Sequence, residues 1–256
     1  KDDPQAWDHE QPQHEVLIPY DFRMARYPIT NAQYRCFVDA GGYAAERYWA
    51  EARAAGVWQD GWVEGRSGPE EYGEPFALAN HPVVGVTWYE ALAFTRWLSD
   101  ALHEQGKLPK GWQVRLPSEA EWEKAARGAD GRRYPWGETL TPQHANFDET
   151  RIGATNAVGC FPLGAGPHRC EEMSGNVWEW TRSLWANYPY DPADGRERLD
   201  AGPDMRRVMR GGSFLNNDWN VRCAARSRYD PNFPYGYFGF RVVLSPSPLD
   251  DDASGR

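Results

Sequence analysis

Cysteine is scarce in this sequence, and long apolar runs are absent. Four of the 256 residues are cysteine, at positions 36, 160, 170 and 223, and no two of them form a Cys-x-x-Cys pair. A domain of this size builds its core without a disulfide framework, so we expect reduced thiols and, by default, a cytoplasmic setting. No apolar run approaches the roughly 18 residues that a membrane-spanning helix needs. The sequence therefore excludes a membrane span.

The first residues, Lys-Asp-Asp-Pro-Gln, lack the basic and apolar regions of a secretory signal peptide. Because the sequence does not begin with Met, an upstream segment stays an open alternative. Display at a surface or on a phage particle stays open with it.

Basic residues are outnumbered by acidic ones. The chain has 28 Lys and Arg against 37 Asp and Glu, which gives a net charge of −9. A protein that binds a phosphate backbone or an anionic membrane needs a cationic face. We therefore predict no nucleic acid and no membrane among the partners. Nothing in the sequence indicates an oligomer, and we expect a monomer.

Aromatic residues, glycine and proline are plentiful by contrast. The chain has 13 Trp, 13 Tyr and 10 Phe, with 25 Gly and 20 Pro. This composition predicts one loop-rich α+β domain near the upper size limit for a single core. We place that domain at residues 15–247, after a polar segment or linker at 1–14 and before a disordered tail at 248–256.

Three helices have clear start signals. A hydroxyl residue stands three positions before Glu or Gln in each, which is the capping-box pattern. The pairs are Thr30 with Gln33, Thr87 with Glu90, and Ser118 with Glu121. Short strands are predicted at residues 15–18, 208–210 and 240–244.

The segment at residues 210–241 is the most unusual part of the chain. Its aromatic run at 229–238 has no period of 2 or 3.6, which predicts an irregular surface loop. Large aromatics on such loops commonly recognise a partner. The alternative is that they fill the core beneath their own loop.

Motifs along most of the chain resemble the formylglycine-generating, sulfatase-modifying family. They are YPITNAQYRCFV at 27–38, HPVVGVTWYEALAFTRWLS at 81–99, VRLPSEAEWEKAARG at 114–128, YPWG at 134–137, MSGNVWEW at 173–180, RVMRGGSF at 207–214 and GFRVV at 239–243. The resemblance implies the C-type lectin fold of this subtype, with few short strands and about three helices.

Two kinds of chemistry are known in the family. The oxidase members bind copper(I) through two cysteines after the Gly-Gly-Ser turn, whereas residues 214–222 here contain none and Asn216 stands near the first position. A second branch builds an iron site from histidines, and the six histidines here include no His-x-x-x-His pair. We therefore predict a protein that is not an enzyme and binds no copper or iron. The alternatives are a formylglycine-generating-type oxidase or related thiol-modifying enzyme, and a sensor module of a bacterial signalling protein.

The segment at 210–241 also resembles the variable region of proteins diversified by retroelements, which lies between Gly-Gly-Ser and Gly-Phe-Arg. This resemblance implies a non-catalytic protein whose loops bind a protein or cell-surface partner. The predicted recognition residues are Leu215, Asn217, Asp218, Trp219, Ser227, Tyr229, Asp230, Phe233, Tyr235, Tyr237 and Phe238.

Cysteine-free members of the family keep a calcium site in and around the MSGNVWEW motif. The resemblance implies ligands at Glu172, Gly175, Val177 and Glu179, and a second site that begins at Asn146. Mixed carboxylate and carbonyl oxygens are what Ca²⁺ prefers. The alternative is that Glu179 accepts hydrogen bonds from loop amides.

Overall fold

The computed structural model describes residues 5–246, so the predicted tail at 248–256 lies outside the described residues. Four α-helices are present in this range. They are α1 at Asn31–Asp39, α2 at Ala50–Ala54, α3 at Trp88–Glu104 and α4 at Glu119–Arg127. Complete capping boxes open α1, α3 and α4, which confirms the three predicted helix starts. The five-residue α2 was not predicted, because it has neither a capping box nor a side-chain cap at its start.

Nine short strands lie in the described part of the chain. They are β1 Arg23–Met24, β2 Trp58–Gln59, β3 Trp62–Val63, β4 Trp112–Arg115, β5 Trp178–Leu184, β6 Arg207–Arg210, β7 Arg226–Tyr229, β8 Phe238–Gly239 and β9 Val243–Pro246. The mixture of helices and short strands in long ordered loops confirms the predicted α+β class.

The strands form three sheets. One has the order β1-β9-β4 and is antiparallel, a second is the β2-β3 hairpin, and the third has the order β7-β6-β5-β8. In the third sheet β8 runs parallel to β5, with Phe238 opposite Trp178, and the other pairs are antiparallel. Three of the last four strands, β6, β7 and β8, therefore share one sheet with β5, and β9 belongs to the first sheet.

Two of the three strand predictions need correction. Residues 208–210 lie in β6 as predicted, but the predicted strand at 240–244 is divided, because β9 begins only at Val243. Residues 15–18 form no strand, and Leu17 there is 81% exposed. A short apolar run such as that at residues 16–18 does not make a strand where no neighbouring strand pairs with the backbone.

The core contains five buried tryptophans whose indole N–H groups donate hydrogen bonds, namely Trp49, Trp58, Trp88, Trp122 and Trp180. Trp88 donates to the Thr181 carbonyl over 2.9 Å, and Trp180 donates to the Val86 carbonyl over 3.1 Å. Both side chains are fully buried. A buried indole keeps its large apolar area at little polar cost only when its N–H is bonded, so these contacts fix α3 against β5.

The N-terminal segment at residues 5–14 lies on the domain surface. The side chain of Glu10 forms a buried ion pair with Arg222, and His9 contacts the Arg226 backbone. The part of the segment that the structure describes is therefore packed against the domain.

No helix between residues 5 and 246 combines the length and the apolar surface that crossing a membrane requires.

Candidate functional site

The segment at 210–241 starts and ends at glycines that allow close backbone approach. Gly212 has a φ of +71°, and a Cβ there would lie 2.8 Å from the Asn220 carbonyl oxygen. A Cβ on Gly239 would lie 2.8 Å from the Val83 carbonyl oxygen. Both positions need glycine, and they fix the two ends of the segment on the core.

Four of the predicted recognition residues form one ring cluster at the surface. Tyr235 lies 5.4 Å from Tyr237 in a stacked pair, 5.6 Å from Phe233 and 6.0 Å from Tyr229, measured between ring centroids. Phe233 and Tyr235 are exposed, whereas Tyr229 and Tyr237 are half-buried. We call these four residues and Tyr72, five in all, the aromatic loop surface.

Tyr72 belongs to this surface although the sequence analysis missed it. Its hydroxyl donates to the Pro234 carbonyl over 2.8 Å, and its ring lies against Gly236. The Gly85 amide donates to the Tyr235 carbonyl over 3.2 Å and so supports the same loop from below. The signal for Tyr72 was absent from the local sequence, because the contact joins residues 162 positions apart.

Two phenols of this surface, Tyr72 and Tyr237, have raised pKa values and stay neutral at ordinary pH. Burial, with smaller contributions from the Tyr229 hydroxyl and neighbouring phenols, raises the pKa of Tyr237 to about 12. Burial raises the pKa of Tyr72 to about 12 as well, and the Glu70 carboxylate adds to that effect. The surface can therefore bind and orient a ligand through ring faces and hydroxyl groups.

Phe238 does not belong to the surface, which corrects its assignment as a recognition residue. It is fully buried in β8, and its ring makes an edge contact with Trp180 at 5.3 Å. Side chains alternate between the two faces of a strand, so Tyr237 points outward while Phe238 enters the core. The aromatic run at 229–238 has no period over its full length, so its pattern did not predict the two-residue strand β8.

The remaining predicted recognition residues lie apart from the cluster. Leu215 and Trp219 are exposed on the loop after Gly-Gly-Ser, with Asn217 and Asp218 between them. A path of ring contacts from Tyr72 through Phe76 to Phe214, at 6.2 and 5.8 Å, connects this loop to the aromatic loop surface. Asp230 pairs with Arg206 at 3.1 Å at the edge of the cluster, and Ser227 lies in β7 opposite Met209.

The described residues do not fit a copper thiolate site. The Asn216 side-chain oxygen accepts hydrogen bonds from the amide and the hydroxyl of Ser213, so this residue closes a turn. Burial raises the pKa of the Cys223 thiol to about 12 and raises that of Cys170 above its usual value. Between residues 5 and 246, no three His, Cys, Asp or Glu side chains come close enough together to hold a metal ion.

The structure assigns Glu179 a role that does not fit the calcium prediction. Its two carboxylate oxygens accept hydrogen bonds from Arg241, at 2.6 Å from Nε and 2.7 Å from Nη2. Trp122 donates to the same carboxylate over 2.7 Å. The carboxylate is buried and its charge is already balanced, so it is not free to hold calcium.

Glu172 and Asn146 have a more open arrangement. Glu172 is buried without an ion-pair partner, and burial raises its pKa to about 7. The Asn176 side chain donates to Glu172 over 3.1 Å, and the Asn176 amide donates to the Asn146 carbonyl. The side-chain oxygens of Asn146 and Asn156 are buried with no hydrogen-bond partner. Oxygens of this kind remain available to a cation.

Comparison with known proteins identifies relatives along nearly the whole chain. The family described as "Sulfatase-modifying factor enzyme 1-like domain" matches residues 2–246. The chain is 36% identical over 234 residues to hercynine oxygenase from Mycolicibacterium thermoresistibile, a match that covers 83% of this chain and 48% of that protein. It is 33% identical over 285 residues to the formylglycine-generating enzyme of Thermomonospora curvata, which covers 96% of this chain and 89% of the relative.

A solved structure shows the same fold. Variable protein 1 of Treponema denticola matches with a TM-score of 0.61 at 18% identity, and the match covers 88% of this chain and 84% of that chain. The predicted family and its C-type lectin fold are thereby confirmed. At this identity the likeness to a variable protein concerns the fold alone.

The same relatives contradict the predicted function. We predicted a non-catalytic binding protein, yet relatives at 33–36% identity over most of the chain are named as an oxygenase and a formylglycine-generating enzyme. That prediction was wrong because missing cysteines exclude one metal site and do not exclude catalysis. The chain spans about half the length of the hercynine oxygenases that it matches.

Proposed function

We propose that this chain, which belongs to the sulfatase-modifying factor enzyme 1-like family, is part of an oxygen-dependent enzyme. In that enzyme it would supply the surface that binds the substrate. The observation that carries the proposal is the 36% identity to an oxygenase across 83% of this chain. That oxygenase extends well beyond the matched stretch, so the activity of a whole enzyme is part of the proposal.

The donor set favours the oxygenase branch over the formylglycine-generating branch. A copper(I) centre needs two accessible thiolates in one place, and Cys170 and Cys223 are buried with raised pKa values that keep them protonated. The two exposed cysteines, Cys36 in α1 and Cys160, both lie outside the loop that follows the Gly-Gly-Ser turn. His81 hydrogen-bonds to Thr155 and His144 to Thr141, so these two side chains are held at separate sites. Metal ligands for the proposed oxygenase would come from outside residues 5–246 or from a second subunit.

The aromatic loop surface is the proposed substrate surface. Large rings that are partly exposed and held by backbone hydrogen bonds bind a ligand at small entropic cost. Tyr235 and Phe233 are open to solvent, while the Tyr72 contact and the Gly85 amide hold their loop. These residues would hold and orient the substrate and exclude water from one side of it.

The test measures oxygen uptake by the full-length protein, loaded with iron(II), in the presence of hercynine and a thiol such as cysteine. We expect uptake that depends on hercynine, with label from ¹⁸O₂ in the product. Tyr235→Ala and Tyr237→Ala should raise KM by at least about ten-fold, which corresponds to a loss of about 1.4 kcal/mol in binding.

Trp62→Ala is the matched control, since Trp62 is an exposed aromatic in the separate β2-β3 hairpin. It should leave KM unchanged. A protein that consumes no oxygen with hercynine and a thiol contradicts the oxygenase branch. Formation of an aldehyde from a cysteine peptide would establish the formylglycine-generating branch instead.

The proposal includes a calcium ion with a structural role. The oxygens that fit the ion are those of Asn146, Asn156 and Glu172, which surround Asn176, and Glu179 is left out. An ion there would link the loop at 146–156 to the turn before β5 and would take no part in catalysis.

A further inference from the structure

The N-terminal segment reaches the loop that follows the Gly-Gly-Ser turn. Both oxygens of Glu10 accept hydrogen bonds from the Arg222 guanidinium, each over 2.8 Å. The two side chains are 3% and 1% exposed, although they lie 212 residues apart in the sequence. A two-point contact of this kind fixes the plane and the direction of the guanidinium.

Arg222 passes this constraint to Trp219. Its Nε–H donates to the Trp219 carbonyl over 2.9 Å, while its two terminal nitrogens face Glu10. Within the same loop, the Asn220 amide donates to the Asn217 carbonyl over 3.2 Å. One guanidinium therefore joins the N-terminal segment to the backbone of an exposed loop.

The neighbouring contacts bring the segment to the same region. Arg226 donates to the His9 carbonyl over 3.0 Å, and the His9 ring contacts the Arg226 carbonyl over 3.2 Å. Further along the segment, the Tyr190 amide donates to His14 over 2.7 Å. The segment thus lies across the start of β7, which leads directly into the aromatic loop surface at Tyr229.

We propose that Glu10 is a positioning residue, which holds Arg222 so that Trp219 keeps its place on the loop that the Phe214 and Phe76 rings connect to the aromatic loop surface. The contacts of Glu10, Arg222 and Trp219 support the positioning of the loop. The statement that the loop serves substrate binding rests on the proposed function. Displacement of the N-terminal segment should release the loop while the rest of the domain stays folded.

The experiment compares hydrogen–deuterium exchange in the full-length protein and in its Glu10→Gln variant. Amides at 217–222 should exchange about ten-fold faster in the variant, while amides of α3 keep their protection, because only a local opening becomes easier. Glu15→Gln is the matched control, since Glu15 is an exposed carboxylate that directly follows the segment. It should change neither region.

A second variant separates the position of the guanidinium from its charge. Arg222→Lys keeps a positive charge but has a single nitrogen in place of the fork that contacts both Glu10 and Trp219, so it should release the loop as Glu10→Gln does. If Glu10→Gln does not fold, Arg222→Lys is used for the same exchange measurement. With ¹⁹F-labelled tryptophan, the Trp219 resonance should sharpen and move toward the position found in unfolded protein.

Exchange at 217–222 that stays within two-fold of the parent protein in both variants overturns the inference. Loss of protection throughout α3 overturns it as well, because the pair would then stabilise the whole fold. Neither readout needs a substrate. A failure of the oxygenase proposal therefore leaves this test unaffected, whereas a rise in KM with unchanged kcat in Glu10→Gln would support both.

Discussion

Single glutamates in this fold serve several donors at once. The Glu90 carboxylate accepts hydrogen bonds from the Thr87 amide at the start of α3, from the Tyr43 hydroxyl and from Arg66. Glu121 does the same for the Ser118 amide and Arg115. Although burial acts to raise the pKa of Glu121, the hydrogen bonds and the charge of Arg115 lower it below its usual value. Glu90 and Glu121 therefore cap their helices and also balance the charges of Arg66 and Arg115.

The Glu179 and Arg241 pair should be important for stability. Glu179→Gln leaves a buried guanidinium without its counter-charge, and we expect a loss of about 3–5 kcal/mol in the free energy of unfolding. Urea denaturation measures it. Glu46→Gln removes an exposed pair with Arg53 and should cost less than about 1 kcal/mol. Equal losses in the two variants would contradict the assignment.

The calcium proposal gives a different prediction at Glu172. Calcium added to EDTA-treated protein should raise the Tm, since a ligand that binds only the native state stabilises it, and Glu172→Gln should abolish that rise. Glu149→Gln, at an exposed carboxylate beyond Asn146, is the control and should keep it. An identical Tm with calcium and with EDTA in the parent protein rules the site out.

Phe233 and Phe238 test which part of the aromatic run is core. Phe238→Ala should cost about 3–5 kcal/mol, because the residue is fully buried between β5 and β7 side chains. Phe233→Ala should cost under about 1 kcal/mol, because that ring is 41% exposed. Chemical denaturation of the two variants measures the difference. A large loss with Phe233→Ala would place the whole run in the core.

At the scale of elements, the N-terminal segment should bind to the domain in a pH-dependent way. Burial lowers the pKa of His9 below its ordinary value of about 6.5. The contribution to stability is thus present above pH 6.5 and is lost as the pH falls through the lowered pKa.

The measurement is the Tm between pH 5 and pH 8. We expect it to fall on the acid side, and we expect a smaller fall in the His9→Gln variant. The surface histidine His168 serves as the control position, with His168→Gln expected to keep the parent slope. The same slope in His9→Gln as in the parent protein would show that other groups govern the acid limit.

Elements with local signals were predicted correctly, and elements held by distant contacts were not. The capping boxes of α1, α3 and α4 are contained within four residues each, so the sequence alone located them. The β8 strand is only two residues long and exists because it pairs with β5, some 60 positions earlier. The predicted strand at 15–18 failed for the converse reason, since no neighbouring strand pairs with it.

At the scale of the whole molecule, the family motifs established the fold, while the site depends on contacts that no motif contains. Tyr72 reaches Pro234, Glu10 reaches Arg222 and Glu179 reaches Arg241, over separations of 162, 212 and 62 residues. Contacts between residues so far apart produce no periodic pattern in a sequence. The function was misread because a missing ligand pair says which chemistry is absent and does not say which remains.

The position of β9 affects how the protein can fold during synthesis. It is the middle strand of the β1-β9-β4 sheet, yet it is the last strand of the described chain to leave the ribosome. Until residue 246 has emerged, β1 and β4 have no common neighbour, and their backbone groups and apolar faces stay open to other chains. Long-range pairing of this kind is slow and exposes nascent chains to aggregation. We therefore expect a chain stalled before residue 243 to depend on chaperones and to be degraded readily.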